Sequence, residues 1–367
     1  FPTRRSSDLQ RFLEFTEAAG LRYAGSAVAG ENLWLPSPAG AARPVYLAPR
    51  AQLDGSLVAP DARAEDRRAP MLIVGIQGMS DFYPRLIAAN LTCQGQPARA
   101  ALVPLDLLTP RRDSNPVHLA ALLDDPAPRA RLAARLRQLI LPGERVGLPA
   151  ILGLRAHAAA LADLRRQIDA PVFEIPTLPP SVPGMRLYAA LHRRLQAVGV
   201  RVELNMAVIG FHAEGGRVAC IETEGSARPL RHYARGFIIA TGGLLGGGID
   251  SDHSGRTWET VLNLPLSCPP ERSQWFRPRF LDPEGHPIFR HGVPVNRNMQ
   301  PVNEAGEPVY ANVWAVGSLL AYADPVRERS LQGLAIGTAV AAAEAAIEAC
   351  GAGTPASRRP EGRDEDE

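Results

Sequence analysis

Apolar residues recur at helical spacing between Gln10 and Tyr23, where Phe12, Leu13, Phe15 and Ala18 share a face until Gly20 ends the run. Residues 24–60 are rich in Gly, Pro and Ser and read as short strands and turns. Residues 61–70 are a polar, arginine-rich connector. The continuous apolar run Met71-Leu72-Ile73-Val74 predicts a buried strand, with Gly75 and Gly78 behind it and a helix from about Asp81 to Thr92. Asp81 follows a glycine-rich turn and reads as that helix's N-cap in preference to a proton acceptor. Ala101 to Asp106 is the next strand, completing one βα repeat. Residues 116–140 are helical, with Pro126 dividing two helices. An apolar strand and turn over Val146 to Leu154, a helix over 155–168 and a strand at Val172–Ile175 complete this half.

The second half has a different rhythm. Thr177 to Leu187 is a proline-stiffened loop ahead of a helix ending near Val198. Three short antiparallel strands are expected at 200–204, 207–212 and 217–223, the last two joined by a turn at Glu214-Gly215-Gly216. Phe237-Ile238-Ile239-Ala240-Thr241 is a buried strand that breaks into glycines through Gly248, and 250–300 is irregular and Pro-rich. A strand over 312–316 ends in Gly317-Ser318, and Gln332-Gly333 opens a long alanine-rich helix. From Gly351 the chain is polar, ends in acids and reads as disordered. Two junctions therefore lead a strand into glycine, at Thr241-Gly242-Gly243 and at Gly317-Ser318. Glycine suits a backbone that approaches a ligand closely. A helix opening on small residues presents unpaired N–H groups and a positive dipole end to an anionic occupant.

Composition excludes more than it selects. The chain has 367 residues, enough for more than one packed unit, and a net charge of +2 that gives no argument for nucleic acid. Every basic residue is arginine, so no Schiff-base or P-loop lysine exists here. Cys93, Cys220, Cys268 and Cys350 are scattered, without the spacing of an iron–sulfur or zinc site, and fit a reducing compartment. Glu344 and Glu348 interrupt the alanine-rich helix, so no membrane span is expected. Phe1 to Leu9 matches one reading frame of a sequencing adapter and is set aside as an artefact.

The strings Val74 to Phe82, Pro176 to Leu187, Ile239 to Gly248 and Val316 to Leu320 resemble the B subunit of the anaerobic glycerol-3-phosphate dehydrogenases, and the resemblance covers nearly everything after Leu9. It implies a flavoprotein carrying FMN, with FAD as the alternative. Its partners would be the family's A subunit, which bears FAD, and its iron–sulfur C subunit, which sits at the membrane. It also implies oxidation of glycerol 3-phosphate to dihydroxyacetone phosphate, with electrons passed to quinone. A cytoplasmic location on the inner face of the membrane follows. The resemblance departs at the front, where the Gly-x-Gly-x-x-Gly turn of such folds is missing. Weak flavin binding and poor solubility, from an unpaired sheet edge, are expected on that ground.

The order of elements and the resemblance together predict an α/β, Rossmann-type FAD/NAD(P)-binding-like fold lacking its first βαβ unit, with an inserted α/β domain and a small antiparallel meander. The expected division is a flavin-domain remnant and connector over 10–70, the inserted domain over 71–190 and the meander with its Ala-Thr-Gly strand over 191–249. A cap or substrate segment over 250–300, a flavin-binding segment over 301–350 and a tail over 351–367 follow. Thr241, Gly242, Gly243, Gly317, Ser318, Gln332, Gly333 and Gly337 would hold the flavin, with the amides up to Gly337 facing its pyrimidine edge. Arg186, Arg256 and Arg327 are candidates for the substrate phosphate because guanidinium forks suit it. His253 and His291 are candidates for the proton acceptor. Two other readings stand beside this one: a non-catalytic scaffold for the A subunit, and a free-standing oxidoreductase of the fumarate reductase type. The latter calls for paired Arg and His in a motif that the sequence does not display.

Overall fold

The computed structural model describes residues 5–25, 30–57, 69–226, 228–269 and 271–351. Most of the 61–70 connector and the tail from 352 lie outside them. The chain divides into two compact units, Leu13–Val202 and Glu203–Glu367 with Phe1–Phe12.

Helix α1 spans Arg5–Ala18, earlier at both ends than the sequence suggested. Gly20, at φ +81°, closes it through bonds from its own N–H to Glu17 O and from Leu21 N–H to Thr16 O. Short strands follow: β1 (Tyr23–Gly25), β2 (Leu33–Pro36), β3 (Ala42–Val45) and β4 (Leu47–Pro49), then a 3-10 turn over Arg50–Gly55. Next come β5 (Met71–Ile76), α2 (Pro84–Cys93), β6 (Ala98–Val103), α3 (Pro116–Leu122), α4 (Pro126–Leu139), β7 (Arg145–Pro149), α5 (His157–Ile168), β8 (Val172–Ile175) and α6 (Val182–Ala197). The sheet runs β6-β5-β7-β8, every pair parallel. Strands β5, β7 and β8 are buried along their whole length, as expected of parallel strands with both faces covered.

Three expectations change here. The described residues between 23 and 57 group with this α/β unit: the 3-10 turn lies against β8, and Gly55 leaves room for the Phe173 ring, which an added Cβ would meet at 2.3 Å. Asp81 is not an N-cap. It sits at φ +63°, and α2 begins later because Pro84 at its first position sets the start. Helix α6 starts inside the proline loop at Val182, where the Ser181 hydroxyl accepts from Gly184 N–H at 3.1 Å.

The other unit opens with a meander of β9 (Val208–Glu214), β10 (Arg217–Thr223) and β11 (Leu230–Tyr233), ordered β11-β10-β9. The expected strand over 200–204 does not form. Its alternating Val200, Val202 and Leu204 are exposed, no described strand pairs with them, and the boundary between units falls there. Strand β12 (Phe237–Ile239) is followed by the hairpin of β13 (Ile249–Ser251) and β14 (Thr257–Glu259). Strand β15 (Val313–Ala315), α7 (Pro325–Glu328) and α8 (Leu331–Cys350) finish the unit. Its core surrounds Trp314, with Phe237, Ile239, Leu262, Leu264, Met299 and Val313. Helix α8 contributes Ala341, Ala342, Ala345 and Ala346 to that core, and its Glu344 pairs with Arg11. By length and composition α8 is nonetheless apolar enough to cross a membrane; its two glutamates do not exclude this, contrary to the sequence expectation.

Asn312 joins the meander to β15. Its buried side chain accepts from Val218 N–H at 2.9 Å and donates to Val218 O at 2.8 Å. Asn312→Ala should cost about 1–3 kcal/mol, because both Val218 groups lose a partner in the interior. Urea denaturation checks this; a loss within error would show that water or a shifted strand satisfies them.

Candidate functional site

Strands β12 and β15 are parallel neighbours, with Phe237 opposite Val313 and Ile239 opposite Ala315. Both glycine junctions therefore emerge at one end of one strand pair. Val316 N–H donates to Ile239 O at 3.0 Å, and Gly243 N–H donates to the Ser318 hydroxyl at 3.1 Å. Gly317 stands at φ +72°, a conformation glycine adopts without strain, and its N–H donates to Thr338 Oγ1 on α8 at 2.9 Å. The Thr338 hydroxyl in turn donates to Leu334 O at 2.7 Å. One threonine thus ties the end of β15 to the first turns of α8. The glycines through Gly248 fold back on themselves: an added Cβ at Gly248 would lie 1.9 Å from Gly242 O.

These residues fit a flavin on observations of their own. Thr241 Oγ1 is buried with no partner, which leaves a hydrogen-bonding group available at the junction. An added Cβ at Gly317 or Gly333 would meet nothing within 4 Å, so a planar ligand can approach the backbone there. Ser330 provides no side-chain cap to α8, and Gln332 and Gly333 are exposed in its first turn. Gly337 departs from expectation. It lies a turn further along the helix, where N–H groups bond within the helix, and Asp8 Oδ2 lies 3.9 Å from the position of its Cβ.

The proposed phosphate ligands and proton acceptors separate. Arg186 is 5% exposed and fully committed: Nη1 and Nη2 donate to Glu174 at 2.6 and 3.0 Å, and Nε donates to Gly153 O at 2.7 Å. It braces the α/β unit and has no fork left for a phosphate, which corrects the sequence reading. His253 and Arg256 are exposed on the β13–β14 hairpin, whose turn is organised by Asp252 Oδ1 accepting from Ser254 and Arg256 N–H. Arg327 lies on α7, with Nη2 3.9 Å from Glu284 Oε1.

His291 is placed differently. Gly292 and Val293 run beside the chain that leaves the Gly317-Ser318 junction: Val293 N–H donates to Leu319 O at 2.8 Å and Ala321 N–H to Val293 O at 3.0 Å. His291 therefore reaches a cavity of about 240 Å³ lined by Ser267, Arg277, Glu284, Arg290, His291 and Tyr322. Its Nε2 is buried and unpartnered. Burial holds the imidazole below its ordinary pKa, against the opposing hydrogen bond with the Ser267 backbone, while Arg290 adds to the depression. Arg290, Arg277 and Tyr322 were not singled out from the sequence. The adjacent Arg290-His291 pair was the available signal.

Residues 6–330 match the FAD binding domain family. The chain is 31% identical over 352 residues to the B subunit of the probable anaerobic glycerol-3-phosphate dehydrogenase of Halobacterium salinarum, covering 92% of this chain and 79% of that protein. It is 31% identical over 358 residues to the B subunit of the anaerobic glycerol-3-phosphate dehydrogenase of Yersinia pseudotuberculosis, covering 94% and 80%. The corresponding B subunit of Vibrio cholerae is 30% identical over 284 residues, covering 75% and 64%. The family match is to an FAD-binding domain and gives no support to FMN, which corrects that expectation. An α/β flavin-binding oxidoreductase, one subunit of a larger complex, accounts for the strand pair, the glycine junctions and the matches together. The chain belongs to the FAD-binding-domain family and, within it, to the anaerobic glycerol-3-phosphate dehydrogenase B subunits.

Proposed function

We propose that this chain carries FAD and oxidises sn-glycerol 3-phosphate to dihydroxyacetone phosphate within a complex containing an A subunit, which bears FAD, and an iron–sulfur C subunit. Electrons pass on to quinone, and the partners hold the chain at the inner face of the cell membrane. The observation that carries the reading is the convergence of two glycine junctions and the uncapped first turn of α8 in a chain of this family.

Thr241, Gly242, Gly243, Gly317, Ser318, Gln332 and Gly333 would hold the cofactor. When bound, the flavin supplies a two-electron hydride acceptor. The positive end of α8 favours negative charge on whatever faces Gln332 and Gly333. The Ser318 hydroxyl, which accepts from Gly243 N–H, keeps its own hydrogen to donate.

The test is a visible spectrum of the purified protein, followed by anaerobic addition of glycerol 3-phosphate without the partner subunits. Absorbance near ~450 nm that bleaches on addition is the expected result. A colourless protein that still assembles with its partners would replace this reading with the scaffold.

A further inference from the structure

We infer that the outer face of α6, in the Leu13–Val202 unit, docks a helix of a partner subunit that carries apolar side chains along one face and carboxylates beside them. The inference rests on the chain being one subunit of a larger complex, and adds where the chain is held and by what chemistry.

The face is what the fold leaves over. Helix α6 turns Val182, Arg186 and Ala190 inward, at i, i+4 and i+8, and all three are buried. A second stripe, Met185, Tyr188 and His192 at i, i+3 and i+7, runs along the same helix, with Met185 39% and Tyr188 58% exposed. The interior accounts for Val182, Arg186 and the Ser181 cap of the Pro176 to Leu187 string, and leaves Leu178 and Met185 outside. Beside the stripe lies a groove of about 490 Å³, lined by Leu154 of the turn after β7 and by Met185, Tyr188 and Ala189. It follows α6 from Ser181 to Arg193. That stretch of helix measures about 18 Å, which suits a second helix lying alongside and is long for a compact metabolite. An exposed apolar groove on a subunit marks an association surface.

Charge selects the occupant. Both charged groups that line the groove are guanidiniums, Arg155 and Arg193, and neither side chain has an ion-pair or hydrogen-bond partner among the described residues. Asp124, the acid on the neighbouring loop, already accepts from Arg155 N–H with both oxygens and from Ala156 N–H with one. An apolar lining with only cations beside it is matched by a segment that offers apolar side chains and carboxylates. It is mismatched to a second copy of itself, which would bring arginines against arginines. The face is also rigid before anything binds. Arg186 locks the inner side of α6 to Glu174 and Gly153 O, and Ser181 caps the helix through Gly184 N–H. The Tyr188 ring stacks on His192 with centroids 5.7 Å apart. Docking therefore has little order left to impose.

Titration of the purified chain with its purified A and C partner subunits tests this. Tyr188→Ala should weaken assembly about 30-fold, as expected of an aromatic anchor in an interface. Arg155→Glu combined with Arg193→Glu should weaken it about 10-fold or more, and the wild-type affinity should fall as salt is raised. Each variant should keep the wild-type melting temperature, because the changed side chains are exposed. Benzoylphenylalanine in place of Tyr188 should photo-crosslink to a partner-subunit peptide that holds both apolar residues and acids. Crosslinking instead to a second copy of the chain, within the chain, or to vesicles of anionic phospholipid would overturn the inference. So would wild-type assembly by every variant, and in each of these cases the complex itself would stand. A wild-type chain that assembles with neither partner would remove the complex and the docking face together.

Discussion

Glu174→Ala is expected to destabilise the Leu13–Val202 unit by about 3–5 kcal/mol, the cost of leaving a buried charge without its partner. Glu174 is 2% exposed and accepts both Arg186 forks, while its Oε1 also accepts from Leu152 N–H at 2.7 Å. Removing it strands the guanidinium and opens the turn after β7 at once. Arg186→Ala should cost a similar amount, whereas Arg155→Ala, on a side chain without an ion pair among the described residues, should stay within about 0.5 kcal/mol. Denaturant titration of each variant gives the comparison. A loss below about 1 kcal/mol for Arg186→Ala would show that its fork is free, and would restore it as a phosphate ligand. The same cluster sets a pH dependence. His157 has its Nε2 3.9 Å from Glu174 Oε2, and burial is the main cause holding its pKa below the ordinary value. Glu174 and the Leu152 carbonyl oppose that depression, and Arg186 and Arg165 reinforce it. A base depressed in the folded state takes its proton first when unfolded. Its stabilising contribution is therefore complete above about pH 6.5 and is lost as pH falls below that. The unit should weaken on mild acidification, and His157→Gln should remove that part of the slope.

What could be read from the sequence depended on whether the cause was local. Val172–Ile175 was placed to the residue, and the buried run of β5 was recognised at Met71, because continuous apolar runs between breakers leave few alternatives. The Gly215-Gly216 turn was equally legible: both residues have positive φ, as the tight hairpin between β9 and β10 requires. Val200 to Leu204 alternates as a strand should, yet alternation is necessary and not sufficient: without a partner strand the pattern remains exposed. Arg186 illustrates the larger difficulty. Its loop suggested a rigid ligand arm, but its meaning comes from Glu174 on β8, twelve residues before it, and no local pattern shows that the two side chains meet. The two junction glycines were visible as a pattern. That they meet was not, since the parallel pairing of β12 with β15 spans some seventy residues of intervening chain. The Arg290-His291 pair was in plain view in an irregular, Pro-rich stretch. Only the return of the chain through Leu319 to Tyr322 turns that stretch into a cavity wall.

Gly333→Ala and Gly248→Ala should separate the cofactor role of the glycines from their packing role. At Gly248 an added Cβ would lie 1.9 Å from Gly242 O and 2.6 Å from Thr241 Oγ1, so backbone must move. That variant should lose flavin and also about 1–3 kcal/mol of stability, because overpacking distorts the junction whether or not a ligand is present. Gly333 is exposed in the first turn of α8, and its Cβ would meet nothing. Alanine there should stabilise the flavin-free protein by up to about 1 kcal/mol, since it favours the helix without a clash. If a flavin lies against that turn, the same methyl group should weaken its binding about 10-fold, or about 1.4 kcal/mol. Opposite signs from one substitution, higher melting temperature without flavin and lower affinity for it, would not arise from helix packing alone. Fluorescence titration of the flavin-free protein with FAD measures the affinity, and scanning calorimetry measures the stability. Unchanged affinity in a stabilised Gly333→Ala protein would remove α8 from the cofactor site and leave the β12–β15 junctions to hold the flavin by themselves.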